Sequence, residues 1–148
     1  MNVFQCSPEE RLGVWAEVRD QLHEVDTVEA LKRVLQFWSK APFSKNVIHP
    51  LDPENWPTVW EILSDGDMCL NTISLCAAMT IVHSELPNTP VFLHMIKFAS
   101  GEEQFVVEYE NMFIGIEYTE ISYEIPEDCV VLYSYEYSYG KRCFDSKR

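Results

Sequence analysis

Hydrophobic positions recur at two different periods along this chain, and the change of period divides it. Leu12, Trp15, Val18, Leu22 and Val25 follow one another at steps of three or four, with Glu17, Arg19, Asp20 and Glu24 outside the stripe. Such spacing predicts an amphipathic helix. Ser7-Pro8-Glu9-Glu10 supplies its start: a capping hydroxyl, a proline at the first helical position and a capping-box glutamate. Asp26-Thr27-Val28-Glu29 repeats the start signal, and Val28, Leu31, Leu35 and Trp38 carry the stripe on until Ala41-Pro42 stops it. Residues 1–40 therefore read as a helical hairpin. Residues 41–64 form a connector, since Pro42, Pro50, Pro53 and Pro57 forbid regular helix or central strand through most of it. Within it Trp56-Pro57 opens a short turn, 58–63, whose Trp56 and Trp60 anchor the connector to the core. From Met68 to about His83 the residues are mostly apolar or small with no wide polar face, which predicts a buried central helix.

After Pro87-Asn88-Thr89-Pro90 the period becomes that of strands. Residues 91–98, 104–109, 112–118 and 129–139 are rich in β-branched and aromatic side chains, and the short links between them require antiparallel pairing. In the last of these, Tyr133, Tyr135, Tyr137 and Tyr139 face one way while Ser134, Glu136 and Ser138 face the other. Helices first and a meander afterwards give an α+β fold, with one four-stranded antiparallel sheet backing the central helix. Residues 65–139 make this core of a single domain spanning 1–148, and 140–148 form a basic tail.

With 148 residues, 47% of them hydrophobic, the chain has material for a real core, which excludes disorder as its main state. Its formal charge of −13 argues against a direct grip on nucleic acid. The asymmetry is sharper than the total: between Asp65 and Tyr139 there are thirteen acids and one base, Lys97. That pattern suits a solvated outer sheet face, or a negative patch aimed at a basic protein partner. The ending KRCFDSKR holds four bases in eight residues and suggests contact with the acidic surface of a second copy. No apolar run is long enough to span a bilayer and MNVFQCSPEE lacks the form of a secretory leader, so no membrane association and an intracellular site are expected.

Cys6, Cys69, Cys76, Cys129 and Cys143 are an odd set without a CxxC pair, as expected of reduced thiols. His23, His49, His83 and His94 are scattered, so no zinc site is expected, and Asp65-Gly66-Asp67 lacks the later ligands of a calcium loop. The five glycines never cluster into a phosphate cradle. No metal or other cofactor is expected. One arrangement has a catalytic character: Cys69 sits at the start of the central helix, just after Asp67, where unpaired N–H groups and the helix dipole favour a thiolate.

From Asp67-Met68-Cys69 onward the layout resembles the transglutaminase-like, papain-like cysteine fold. That resemblance covers about residues 65–118. It implies a nucleophile at Cys69, a histidine strand at Glu103–Glu108 and an acid strand at Met112–Glu117, where Glu117 matches the acid. Gln104 stands in the histidine position, and a glutamine cannot take up and release a proton near neutral pH. His94, on the preceding strand with Phe92, Ile96 and Phe98, is the substitute base if the chain is an enzyme. Residues 56–63, with the acidic turn and Cys69 beyond, also resemble small uncharacterised proteins of tailed bacteriophages. That resemblance implies a viral accessory or virion-associated protein, in the host cytoplasm or the virion.

Three functions follow. The first is a non-catalytic interaction or structural protein, phage-encoded, that uses Tyr133, Tyr135, Tyr137 and Tyr139 and the acidic sheet to bind a protein. The second is a cysteine hydrolase or acyl transferase with Cys69, His94 and Glu117. The third is an acidic mimic of nucleic acid that inhibits a host DNA-binding protein, which requires a linear row of carboxylates.

Overall fold

The computed structural model describes residues 2–42, 48–65, 69–85, 89–117, 120–137 and 144–147. Four α-helices precede five strands: α1 Pro8–Gln21, α2 Thr27–Trp38, α3 Val59–Asp65 and α4 Leu70–Val82, then β1 Val91–Lys97, β2 Glu103–Tyr109, β3 Met112–Ile114, β4 Val130–Tyr137 and β5 Phe144–Lys147. The fold is α+β. Both expected helix starts are present: Ser7 Oγ accepts from Glu10 N at 3.3 Å, and Asp26 Oδ1 accepts from Glu29 N at 2.8 Å.

The sheet is antiparallel throughout, in the order β3-β2-β1-β4-β5. Its first four strands are those expected, and β5 adds a fifth from the basic tail, with Tyr137 opposite Phe144 and Ser134 opposite Lys147. The third strand ends earlier than the 112–118 run suggests. Gly115, at φ +113°, turns the chain out, and a Cβ there would lie 3.2 Å from the Phe105 carbonyl oxygen. Glu110 and Asn111 both take positive φ, which gives the β2–β3 hairpin the twist of a type I′ turn.

The two faces of the sheet bury different things. Leu93, Met95, Phe105, Val107, Tyr109 and Tyr135 join Leu75, Cys76, Ala78 and Ile81 of α4 in the main core. The opposite face is not simply solvated. Ile96, Val106 and Phe113 make a second cluster there, covered by Phe98, Ile116, Ile125 and Cys129. Ile116, Ile125 and Cys129, all from beyond β3, thus fold back over the outer face.

The helical half is locked to α4 at one point. Trp15 Nε1 from α1 and Trp38 Nε1 from α2 both donate to Thr80 Oγ1, each at 2.9 Å, and Thr80 donates in turn to the Cys76 carbonyl at 2.7 Å. All three residues are fully buried. The α3 end is held by Arg11, whose guanidinium donates to the carbonyls of Leu63, Ser64, Phe4 and Cys6. Within the connector, Trp56 Nε1 donates to the His49 carbonyl at 2.7 Å while its ring meets Phe105 and Tyr135.

Thr80→Val keeps shape and volume but removes the acceptor that two buried indoles share, their only one among the described residues. Each buried donor left unpaired costs about 1–3 kcal/mol, so a loss of about 2–4 kcal/mol is expected. Urea unfolding followed by tryptophan emission measures it, and a loss under about 0.5 kcal/mol removes Thr80 from this role.

Candidate functional site

Cys69 is the N-cap residue of α4, with extended backbone at φ −88° and ψ 173°. It is half-buried, and its sulfur lies 3.1 Å from Thr72 Oγ1, one turn into the helix. The first turns of α4 grip one residue of β2. Asn71 Oδ1 accepts from Phe105 N at 2.9 Å, and Ser74 Oγ donates to Phe105 O at 2.8 Å. These groups lie beyond the last β3 pair, Val107 with Ile114, so α4 supplies the partners that β3 does not reach. Cys69 is thereby delivered to the start of β2.

Next to Phe105 stands Gln104, and its amide donates to the Gly115 carbonyl. This contact joins β2 to the segment just after β3, the two places where the cysteine-fold resemblance sets its histidine and its acid. A carboxamide-to-carbonyl bond holds them together without a proton that can be exchanged. Glu117 does not take part. It is exposed, past the end of β3, with no hydrogen-bond partner among the described residues.

His94 does not reach Cys69 either. Its register opposite Val106 and Ser134 sets it on the outer face, whereas Leu93 and Met95 on either side face α4. There its Nδ1 lies 2.6 Å from Ser134 Oγ and its Nε2 2.8 Å from Glu108 Oε1, while its ring stacks on Phe92 at 5.7 Å. The sheet stands between the imidazole and the thiol. The other histidines are also placed elsewhere: His23 lies 3.7 Å from Glu85, His83 meets the Trp60 ring, and His49 is exposed on the connector. Among the described residues, no imidazole is hydrogen-bonded to Cys69. Burial, with the Cys69 sulfur as a lesser cause, pushes the Cys76 thiol well up, so it stays protonated.

Ser134 and Glu108 escaped sequence reasoning. The signal was parity: on three neighbouring strands one histidine, one serine and one acid share the face opposite to the larger apolar residues. Together they form a relay across β4, β1 and β2. Mid-strand Ser134 is buried, and the strand carries no sharp turn that would present its hydroxyl to a substrate. The arrangement works as a cross-strand staple.

Two residues of the tyrosine row pack inside the fold. Tyr135 is 5% exposed and donates from its hydroxyl to the Pro50 carbonyl at 2.7 Å. Tyr133 is half-buried, its ring 5.9 Å from that of Tyr135. Tyr137 lies at the β4–β5 pair by its backbone, and Tyr139 lies outside the described residues, as do Cys143 and most of the Asp65-Gly66-Asp67 turn. Tyr135 therefore seats the connector, because a phenol facing a core needs an acceptor and the connector brings one. Burial raises both phenols, helped at Tyr133 by Tyr135 and Glu103 and at Tyr135 by Asp52. Among the described residues, no three His, Cys, Asp or Glu side chains converge as a metal site, and no helix is long and apolar enough to cross a membrane.

The fold sets a cysteine at the cap of the helix that lies on an antiparallel sheet, with Phe105 of β2 bonded to that helix's first turns. Solved structures of Legionella pneumophila LapG share it. One matches with a TM-score of 0.67 at 17% identity, over 86% of this chain and 75% of that one. The calcium-bound form matches with a TM-score of 0.69 at 16% identity, over 87% and 76%. The EGTA-treated form gives 0.67 at 14% identity, over 95% and 82%. At such identities the likeness shows the fold. No family model and no curated protein matches the chain. The phage resemblance of residues 56–63 gains no support from these structures.

Ser134→Ala removes one end of the relay and leaves a buried ring nitrogen unpaired. A cost of about 1–3 kcal/mol is expected with no change in the rate at which Cys69 is alkylated. Altered Cys69 reactivity would show that His94 communicates with the thiol after all. Tyr135→Phe should lessen alkaline unfolding. A phenol raised in the folded state gives stability that is present below its ordinary value near ~10 and is lost as pH rises above it. A pH titration of denaturation midpoints from 8 to about 11 tests this, and superimposable curves for the two proteins reject it.

Proposed function

We propose that this chain is a transglutaminase-like cysteine-fold protein that works by binding another protein, and that histidine-dependent hydrolysis at Cys69 is lost. The observation that carries this reading is the Gln104–Gly115 bond. Next to Phe105, the β2 residue that α4 grips, and at the position where the cysteine-fold resemblance sets its histidine, there is a carboxamide already committed to a backbone carbonyl, and it does not change protonation near neutral pH. The relay holding His94 on the far face supports the same conclusion.

An interaction surface is available, though not the one expected. Val130, Val131 and Leu132 are 57%, 41% and 42% exposed in succession at the start of β4, and β5 pairs only with Ser134–Tyr137 beyond them. Among the described residues this leaves an apolar stretch on a partly unpaired sheet edge, a form that takes an added extended segment. The acids around it, Glu127 and Asp128, suit a basic partner. A nucleic-acid mimic is less well supported. Glu102 and Glu103 lie at one end of β2 and Glu110 at the other, so these carboxylates do not form one row.

The second reading is a cysteine hydrolase or acyl transferase with Cys69 as nucleophile. It draws on the fold shared with LapG and on a half-buried thiol at a helix start. Alkylation by iodoacetamide between pH 5 and 9, followed by mass spectrometry, separates the two. Binding without catalysis predicts that Cys69 reacts within about threefold of a free model thiol, with a single thiol-like pH profile. Fast labelling that persists to pH 6 establishes the hydrolase. If Cys69 instead labels slowly, Gln104→His should raise the neutral-pH rate at least about tenfold, because an imidazole is returned beside Phe105, the residue that α4 grips. An unchanged rate in that variant means that Gln104 does not mark the base position.

A further inference from the structure

A cavity of about 250 Å³ opens between α2, α4 and the β2–β3 edge. Its floor is apolar and closed: Leu35, Trp38, Ala77 and Ile114 are all buried. Its rim is wetter, with Ser39, Ile73, Gln104, Gly115 and Ile116 half-buried and Glu102 exposed. Ile73 and Ala77 stand four and eight residues after Cys69, so the cavity runs along the α4 stripe that Cys69 begins. Two polar groups in its wall are already spent, Ser74 on Phe105 and Gln104 on Gly115. The wall therefore offers an incoming molecule apolar contact, and one charge.

We propose that this cavity binds a small apolar amine, seated with its hydrocarbon or aryl body on the floor and its ammonium group at the Glu102 rim. Size sets the body. A cavity of about 150 Å³ accepts benzene, so 250 Å³ admits a ring with a two- or three-atom tail. Charge sets the head. Among the described residues Glu102 is the single ionisable side chain in the wall, and the chain as a whole carries −13, so an ammonium is drawn to the rim and a carboxylate is repelled. This site goes beyond the protein-binding reading and does not depend on whether Cys69 turns over substrate.

Phenethylamine and 3-phenylpropanoate are near-isosteric probes of opposite charge. Titration of the full chain with each, followed by amide shifts in ¹H–¹⁵N spectra, should give saturable phenethylamine binding centred on Ile73, Ala77 and Gly115. At low salt the carboxylate should bind about three- to tenfold more weakly, since Glu102 is exposed and its field is screened. Glu102→Gln, at an exposed position that leaves folding intact, should bring the two within about twofold. Ile73→Trp, which fills the mouth, should abolish saturation; if it unfolds, the Glu102→Gln comparison alone decides. Absence of saturable binding, shifts centred elsewhere, or equal affinity for both probes in the unaltered chain overturns the proposal. So does a preference that Glu102→Gln leaves unchanged.

Discussion

One hydroxyl constrains where everything in the first half can lie. Thr80 has a single proton to give and two lone pairs to receive, and all three are used: the proton by the Cys76 carbonyl, the lone pairs by the indoles of Trp15 and Trp38. Two large rings from two helices can share one oxygen only if α1 and α2 meet α4 at a set height and rotation. That rotation turns Leu75, Ala78 and Ile81 toward the sheet and leaves Ile73 and Ala77 facing the gap under α2. The cavity and the presentation of Cys69 are both consequences of it.

At the other end of α4 the constraint is backbone rather than side chain. Beyond Ile114 the third strand leaves β2, and the Phe105 N–H and C=O need partners. Asn71 and Ser74 provide them, and Gly115 passes so close, at positive φ, that a Cβ there would crowd the Phe105 carbonyl at 3.2 Å. The same crossing that satisfies Phe105 brings Gln104 against Gly115. Position and chemistry separate here. The frame that sets a thiol beside a strand persists on hydrogen bonds that do not require an ionisable group, so a base can be lost without the frame being lost.

Much of the architecture was legible because it is local. Ser7 and Asp26 announce their helices within four residues, and strand parity placed His94 with Phe92 and Ile96, and Tyr133 with Tyr135, on common faces. What was not legible is which face met α4. Parity states that two residues share a side; it does not say which side is covered, and the sheet turned out to be covered on both. His94 therefore belonged to a relay with Ser134 and Glu108, and Tyr135 to the Pro50 carbonyl 85 residues away. The short strand Phe144–Lys147 was hidden for a different reason. Its four residues read as a charged tail, because a strand that pairs at an edge needs little hydrophobicity of its own.

Gln104, where the cysteine-fold resemblance sets a histidine, was legible, and its meaning depended on geometry. A glutamine at Gln104 is compatible with catalysis if a neighbouring imidazole takes over, and His94, ten residues earlier, was the natural replacement. The β1–β2 register removes it: Ile96, not His94, lies opposite Gln104, and His94 lies opposite Val106 on the face away from α4. To carry the imidazole to the other side, the register would have to slip by one residue. That slip would carry Leu93 and Met95 out of the main core and turn Phe92, His94 and Ile96 toward α4, reversing every β1 side chain at once. The same burial that makes the sheet stable thus fixes the histidine where it cannot serve the cysteine.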